Sequence, residues 1–446
     1  MESIFEGLQL KLPFIKALND ENYKSPTPIQ NECIPKVLNG LDILGIAQTG
    51  TGKTAAFSIP ILQLLNASQP ANKKRSTRAL ILAPTRELAI QIGSSVRLYG
   101  KYIAFKYALI YGGVGQNPQV EALKRGVDLI IATPGRLLDL INQGVCKLDK
   151  VEYFVLDEAD RMLDMGFIND VKKIVKVLPK ERQTLFFSAT MPLAVENLAS
   201  KLLNKPEHIS IEPSSTPVQK IKQLVCFVRA EDKRKYLKNL LKEIKFNSVI
   251  IFTRTKHGAN RLSAEIKSSI IISDALHGNK SQAARQRTLK DFKQGKINVL
   301  VATDIAARGI DIEGVSHVIN YELPNVPEDY IHRIGRTARA GASGTAISIC
   351  APNEQPFLEN IEKLMGLSIK VSDGQPSTDK EEINKKTKKK SFKKFANSSK
   401  NNYKTLSEKN TEETRTSNNK KKSKKKKRKV FFKTGKFKGK KQIKKI

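Results

Sequence analysis

The sequence predicts an α/β protein in which two parallel-sheet domains stand in tandem ahead of a disordered, lysine-rich tail. Three observations predict it. From Phe5 to about Ile211, short apolar runs (residues 80–83, 129–132, 153–156 and 184–187) alternate with helical patterns, as in a parallel sheet covered on both faces. The polar, proline-bearing piece Glu212-Pro213-Ser214-Ser215-Thr216-Pro217 interrupts this pattern and reads as a linker, after which alternation resumes, with strands near 249–252, 299–302 and 315–321. Beyond residue 370 Lys, Asn, Ser and Thr dominate, a composition that buries too little apolar surface to offset conformational entropy. The expected divisions are a first domain at 1–211, a linker at 212–219, a second domain at 220–367 and a tail at 368–446.

The 446 residues suffice for two or three domains with cores of their own. Against 43 Asp and Glu stand 79 Lys and Arg, and the formal net charge of +36 points to a polyanionic partner, nucleic acid before membrane. About +21 of that charge lies after residue 370. Cys33, Cys146, Cys226 and Cys350 form no C-x-x-C pair, so buried, reduced thiols are expected and not a zinc site or a disulfide framework. The N-terminal stretch lacks the apolar run of a signal peptide, and no segment approaches a membrane span, so a cytoplasmic protein is expected.

In the first domain the most informative stretch is Ala47-Gln48-Thr49-Gly50-Thr51-Gly52-Lys53-Thr54, with a strand pattern before it and a helical one after it. A strand feeding a glycine-rich turn that feeds a helix aims backbone N–H groups at one point, which suits a row of phosphates. Lys53 is then placed to reach β- and γ-phosphates, and the Thr54 hydroxyl to ligate Mg²⁺. Ala47 departs from the strict pattern, which begins with Gly. About a hundred residues on, Val155-Leu156-Asp157-Glu158-Ala159-Asp160 is an apolar run ending in three carboxylates. Ligands of open α/β sheets bind beyond the carboxyl ends of strands, so Asp157 suits Mg²⁺ and Glu158 suits activation of an attacking water. Taken alone, the run is equally a helix N-terminus decorated with acids.

On these residues the chain resembles the DEAD-box ATP-dependent RNA helicases, named after the Asp157-Glu158-Ala159-Asp160 run, and within them the bacterial RhlE-like branch most. The resemblance covers residues 1 to about 367 and implies two RecA-like domains with ATP and Mg²⁺ as cofactors. Ser25-Pro26-Thr27-Pro28-Ile29-Gln30 is similar to the family's Q motif, in which Gln30 reads adenine, an apt task for a side-chain amide. Phe5 lies at the spacing of the family's upstream aromatic, which implies stacking on the base, whereas Tyr23 reads as core packing. Asn22 replaces the usual Gly, which predicts a different local turn. Thr49, Gly50, Thr51, Gly52, Lys53 and Thr54 of the loop, together with Asp311, complete the implied nucleotide set.

Pro84-Thr85-Arg86-Glu87-Leu88, Gly112-Gly113 and Thr133-Pro134-Gly135-Arg136 are similar to the RNA-contacting segments of the family's first domain. Hydroxyls, helix N-termini, glycine backbones and arginines are the groups that hold phosphates. Ser188-Ala189-Thr190 resembles the segment that links hydrolysis to strand separation through hydrogen bonds to the carboxylate run. In the second domain the resemblance implies RNA contacts for Arg254, Gly278, Gln282, Arg285, Thr303 and Asp304. In His332-Arg333-Ile334-Gly335-Arg336-Thr337-Ala338-Arg339 the arginines recur every three residues on a helical pattern and so share a face. By resemblance Arg336 and Arg339 are arginine fingers and His332 helps hold the water, roles suited to fixed guanidiniums beside a transferring phosphoryl group.

The implied activity is local, non-processive unwinding of short RNA duplexes, in ribosome assembly or RNA turnover, with ribosomal precursors or RNA-decay proteins as partners of a monomer. An RNA annealer and a DNA translocase are the alternatives. The tail, with Lys clusters at 385–390 and 420–429 and interleaved aromatics, reads as an RNA tether.

Overall fold

The computed structural model describes residues 5–48, 50–68, 75–211, 221–268, 270–307, 312, 314–337 and 344–376. The predicted linker and almost all of the predicted tail lie outside them. The first sheet contains β1 (Ile43–Ile46), β2 (Ala79–Leu82), β3 (Tyr107–Ile110), β4 (Leu129–Ala132), β5 (Tyr153–Leu156), β6 (Gln183–Ser188) and β7 (Glu207–Ser210), of which the edge strands β3 and β7 are only partly buried. They pair in the order β3-β4-β2-β5-β6-β1-β7, and every pairing is parallel. In β2 and β4 all four residues are buried, which is why these strands read as unbroken apolar runs.

The second sheet contains β8 (Ile221–Phe227), β9 (Val249–Thr253), β10 (Ser273–Leu276), β11 (Val299–Thr303), β12 (His317–Asn320), β13 (Gly344–Cys350) and β14 (Lys370–Asp373). Its order is β10-β11-β9-β12-β13-β8-β14, so successive strands take the same seven places as in the first sheet. The halves are therefore structural repeats. Two expected boundaries move. Strand β14 pairs with β8, so the second domain runs at least to Asp373 and not to residue 367. The strand expected at 315–321 is only His317–Asn320, with Val315 bridging separately to Thr337.

Placing β1, β6 and β5 side by side brings the segments that follow them together at one edge of the first sheet. The segments after β2, β4 and β3 continue along the same edge. All four cysteines are free and buried. Among the described residues no helix is long and apolar enough to cross a membrane, and no cluster of three or more His, Cys, Asp or Glu side chains could hold a metal ion.

Candidate active site

The glycine-rich loop joins β1 to the helix Lys53–Ala67. Gly50 (φ 83°) and Gly52 (φ 94°) occupy the left-handed region. A Cβ on Gly52 would fall 2.5 Å from Gln30 Nε2, so glycine is also required there by close approach. Ala47 is buried and is not among the residues at positive φ, so its methyl group is accommodated without the missing glycine. Lys53, 6% exposed, donates from Nζ to the Ala47 carbonyl at 2.6 Å, and the Thr51 hydroxyl donates to the Gln48 carbonyl at 2.8 Å. Thr49 lies outside the described residues.

This loop opens on a cavity of about 380 Å³ that Gln30, Lys53, Thr54, Asp157, Glu158 and Arg336 all line. Gln30 sits in the first turn of the helix Pro28–Leu38, where its Oε1 accepts from the Thr27 N–H at 3.0 Å and its Nε2 donates to the Gly52 carbonyl at 3.2 Å. The amide expected to read a base thus also ties its helix to the glycine-rich loop. Expectation and structure part at the aromatics. Phe5, 3% exposed, belongs to the apolar core and does not line the cavity, whereas Tyr23 does. The Tyr23 and Tyr99 hydroxyls are hydrogen-bonded at 3.0 Å with the rings edge to face. Asn22 adopts φ 57°, the conformation a glycine would take, so the expected change of turn does not occur; Asn tolerates this region better than most side chains.

Beyond β5, Asp157 and Glu158 are 2% and 5% exposed. Asp157 Oδ1 is buried without a partner. Burial raises its pKa to about 7; Lys53 opposes that shift and the neighbouring Glu158 adds to it. An orphaned carboxylate oxygen in the same cavity as the Thr54 hydroxyl suits a hard divalent cation. Glu158 is held at φ 54°, ψ 53°, a strained conformation for a side-chain-bearing residue, immediately before the helix Ala159–Asp164. Its Oε2 accepts from Arg161 Nη1 at 2.9 Å. Asp160 Oδ2 accepts from the N–H groups of Ala189 (3.2 Å) and Thr190 (2.9 Å) and from the Thr190 hydroxyl (3.0 Å), while Ser188 Oγ accepts from the Asp160 N–H at 3.2 Å. The expected link between the carboxylate run and Ser188-Ala189-Thr190 is therefore made by Asp160.

In the second domain the helix Pro327–Ile334 ends before Arg336, so the arginines do not share one helical face. Arg333 turns inward: its guanidinium bonds both oxygens of Asp304 (2.6 and 2.7 Å), Asn320 Oδ1 (3.0 Å) and the Glu322 carbonyl (2.7 Å), and lies over the Phe252 ring. Asp304, expected at RNA, is thus engaged in holding Arg333. Arg336 lines the first cavity. His332 lines a small adjoining pocket with Arg336, and its carbonyl accepts from Arg336 Nε at 3.3 Å. Arg339 and Asp311 lie outside the described residues.

A second cavity, of about 350 Å³, gathers Pro84, Thr85, Arg86, Thr133, Gly135 and Arg136 from the ends of β2 and β4 with Gly112 after β3. Gly278 and Arg285 of the second domain also line it. Gly113 (φ 77°) lies so close to Arg86 that a Cβ there would fall 1.9 Å from Arg86 Nη1. Pro134 is buried at the start of the helix Pro134–Asn142, and Thr303 is buried at the end of β11. Other expected RNA contacts are engaged within the protein. Glu87 Oε1 accepts from Gln282 Nε2 (3.0 Å) and Arg285 Nε (2.8 Å), all three side chains being buried, so this pair braces one domain against the other. Arg254 pairs with Glu322 at 3.5 Å and Glu354 at 3.2 Å and does not line the cavity. Sequence reasoning missed Tyr99 and Arg161, and it named Glu87 within an RNA-contacting segment without its bracing role. Only Arg161 carried a readable signal, its three-residue spacing from Glu158.

Known proteins resemble the chain over most of its length. A DEAD/DEAH box helicase model matches residues 27–198, and a helicase conserved C-terminal domain model matches residues 232–341. The DEAD-box ATP-dependent RNA helicase CshA of Bacillus subtilis (strain 168) is 42% identical over 363 residues, 81% of this chain and 72% of its own length. The ATP-dependent RNA helicase DeaD of Escherichia coli (strain K12) is 42% identical over 369 residues, 82% of this chain and 58% of its own. Among solved structures, S. cerevisiae Dbp5 bound to RNA and ADP BeF3 superposes with a TM-score of 0.72 at 34% identity, covering 86% of this chain and 98% of that one. Mss116p bound to ssRNA and AMP-PNP gives 0.73 at 32% identity, covering 85% and 79%.

Proposed function

The chain belongs to the DEAD-box ATP-dependent RNA helicases, which are RNA-dependent ATPases, and from that premise we propose how its own residues divide the work. Lys53 and the backbone of the glycine-rich loop hold the ATP phosphates, and Gln30 with Tyr23 borders the base. Thr54 and Asp157 would hold Mg²⁺, which when bound neutralises charge on the phosphate oxygens. Glu158 positions the attacking water and takes its proton. Arg336, with Arg339, stabilises the charge of the transferring phosphoryl group, and His332 helps to place the water.

RNA lies across the second cavity, its backbone held by Thr85, Arg86, Gly113, Thr133, Gly135 and Arg136. Because groups from both domains line each cavity, ATP and RNA favour the same closed arrangement, and each tightens the other's binding by the same factor. Hydrolysis removes the γ-phosphate contact and releases the closed form, so unwinding is local and non-processive. We place the protein in the cytoplasm, acting as a monomer of the RhlE-like branch on RNA of ribosome assembly or turnover; crosslinking it to RNA in cells and sequencing the recovered RNA tests the pathway.

What supports this reading above all is that Arg336 of the second domain lines one cavity with Lys53, Asp157 and Glu158 of the first. Arg336→Ala is expected to suppress RNA-stimulated hydrolysis by up to about 10³-fold. Nucleotide affinity without RNA should change little. Equal losses with and without RNA would show that Arg336 only supports the fold.

A further inference from the structure

Arg161 is a buried charge that the scheme above leaves unused. Its side chain is 4% exposed, it lines the nucleotide cavity, and its Nη1 donates to Glu158 Oε2 at 2.9 Å. Two local features produce this contact. The left-handed backbone of Glu158 (φ 54°) lies immediately before the helix Ala159–Asp164, and Arg161 stands three residues further on. The Arg161 N–H also donates to Asp160 Oδ1 at 3.0 Å, and the other oxygen of Asp160 holds Thr190. Arg161 therefore joins the two groups, its backbone N–H bonded to the Asp160 that holds Thr190 and its guanidinium bonded to Glu158.

We propose that Arg161 is a positioning residue for hydrolysis: its guanidinium orients the Glu158 carboxylate, and its link to Asp160 ties that orientation to the Ser188-Ala189-Thr190 segment. A carboxylate free to rotate presents an oxygen to the water for only part of the time. One charge-assisted bond to Oε2 removes that freedom and leaves Oε1 for the water. The cation also offsets the repulsion between Glu158 and the adjacent Asp157 in a buried setting. Because the bond uses a single nitrogen, a lysine at this position can replace it.

The inference rests on Glu158 as the water-activating group, and the experiment separates the two ideas. ATP turnover at saturating RNA, ATP KM, RNA affinity and Tm are measured for Arg161→Met, Arg161→Lys, Glu158→Gln and the Glu158→Gln/Arg161→Met double variant. Arg161→Met is expected to lower kcat by about 10- to 100-fold, the scale of a small misplacement of a catalytic group, with KM and RNA affinity within about twofold. Arg161→Lys should recover most of the loss. In single-turnover assays the double variant should be no slower than Glu158→Gln, since the arginine acts through that carboxylate.

An ordinary structural ion pair gives another pattern, and that pattern overturns the proposal: kcat, KM and Tm worsen together, lysine does not rescue, and the methionine slows the double variant as much as the single one. Unchanged kcat in Arg161→Met beside an inactive Glu158→Gln overturns it as well. Normal turnover by Glu158→Gln removes the role of Glu158 itself, and the inference with it.

Discussion

A carboxylate taken out of water without a partner for one of its oxygens prefers to keep its proton, and Asp157 is in that position. Its folded pKa, raised to about 7, lies above the value of about 3.9 for an unfolded chain. The folded state therefore retains a proton that the unfolded chain releases. The stability this group contributes is complete below the unfolded value and is lost as pH rises through the folded one. Asp157→Asn, which cannot ionise, should then stabilise the nucleotide-free protein by roughly 1 to 3 kcal/mol more at pH 8 than at pH 4. Thermal melts without nucleotide at the two pH values check this, and an equal effect at both would mean that Asp157 ionises normally. A group poised in this way suits a cation site, because a bound cation compensates the cost of its buried charge.

Short elements turn such side chains toward one another. The helix Ala159–Asp164 has six residues, yet its first turn carries Asp160 and Arg161, which reach Thr190 and Glu158 respectively. The helix Gln282–Lys293 acts across the domains, since its first turn delivers Gln282 and Arg285 to Glu87 at the start of the helix Arg86–Tyr99. Breaking a desolvated charge pair of this kind costs about 2 to 5 kcal/mol, and when the domains part water solvates both partners, so the loss falls on the closed form. Glu87→Gln is therefore expected to weaken RNA binding by about 30-fold up to a few thousandfold with a non-hydrolysable ATP analogue present. RNA binding without nucleotide should change far less. Titrating labelled RNA in the two conditions decides the matter, because an equal loss in both would assign Glu87 to the local RNA surface.

The whole molecule adds a strongly basic segment to this two-domain engine. The stretch 377–446 lies outside the described residues, but its charge is legible: with the few residues before it, it carries about +21 of the net +36. Each phosphate that such lysines neutralise releases counterions. Removing residues 377–446 should weaken RNA binding, flatten the slope of log affinity against log salt and raise the RNA concentration for half-maximal ATPase. The maximal rate at saturating RNA should survive, since every group assigned to catalysis precedes Ala340. A truncated protein with the affinity and salt slope of the full chain would refute the tether.

The sequence by itself determined those parts whose chemistry is contiguous. The glycine-rich loop, Asp157-Glu158-Ala159-Asp160 and Ser188-Ala189-Thr190 each follow an apolar run at the end of a buried strand, so strand burial and motif could be read in one window. Tertiary structure decided the rest. Strand β14 reads Lys-Val-Ser-Asp with all four residues exposed, and only pairing with β8 makes it a strand. Gln282 and Arg285 find Glu87 across 195 and 198 residues, a partnership no local pattern encodes. The three-residue arginine spacing predicts one face only while a helix continues. This helix ends at Ile334 and Thr337 bridges to Val315, so Arg333 enters the core while Arg336 lines the cavity of Lys53, Asp157 and Glu158. The physical reason is common to these cases: a residue's neighbours along the chain set its local conformation, but its partners are whatever the packed sheets and domains bring within hydrogen-bonding reach.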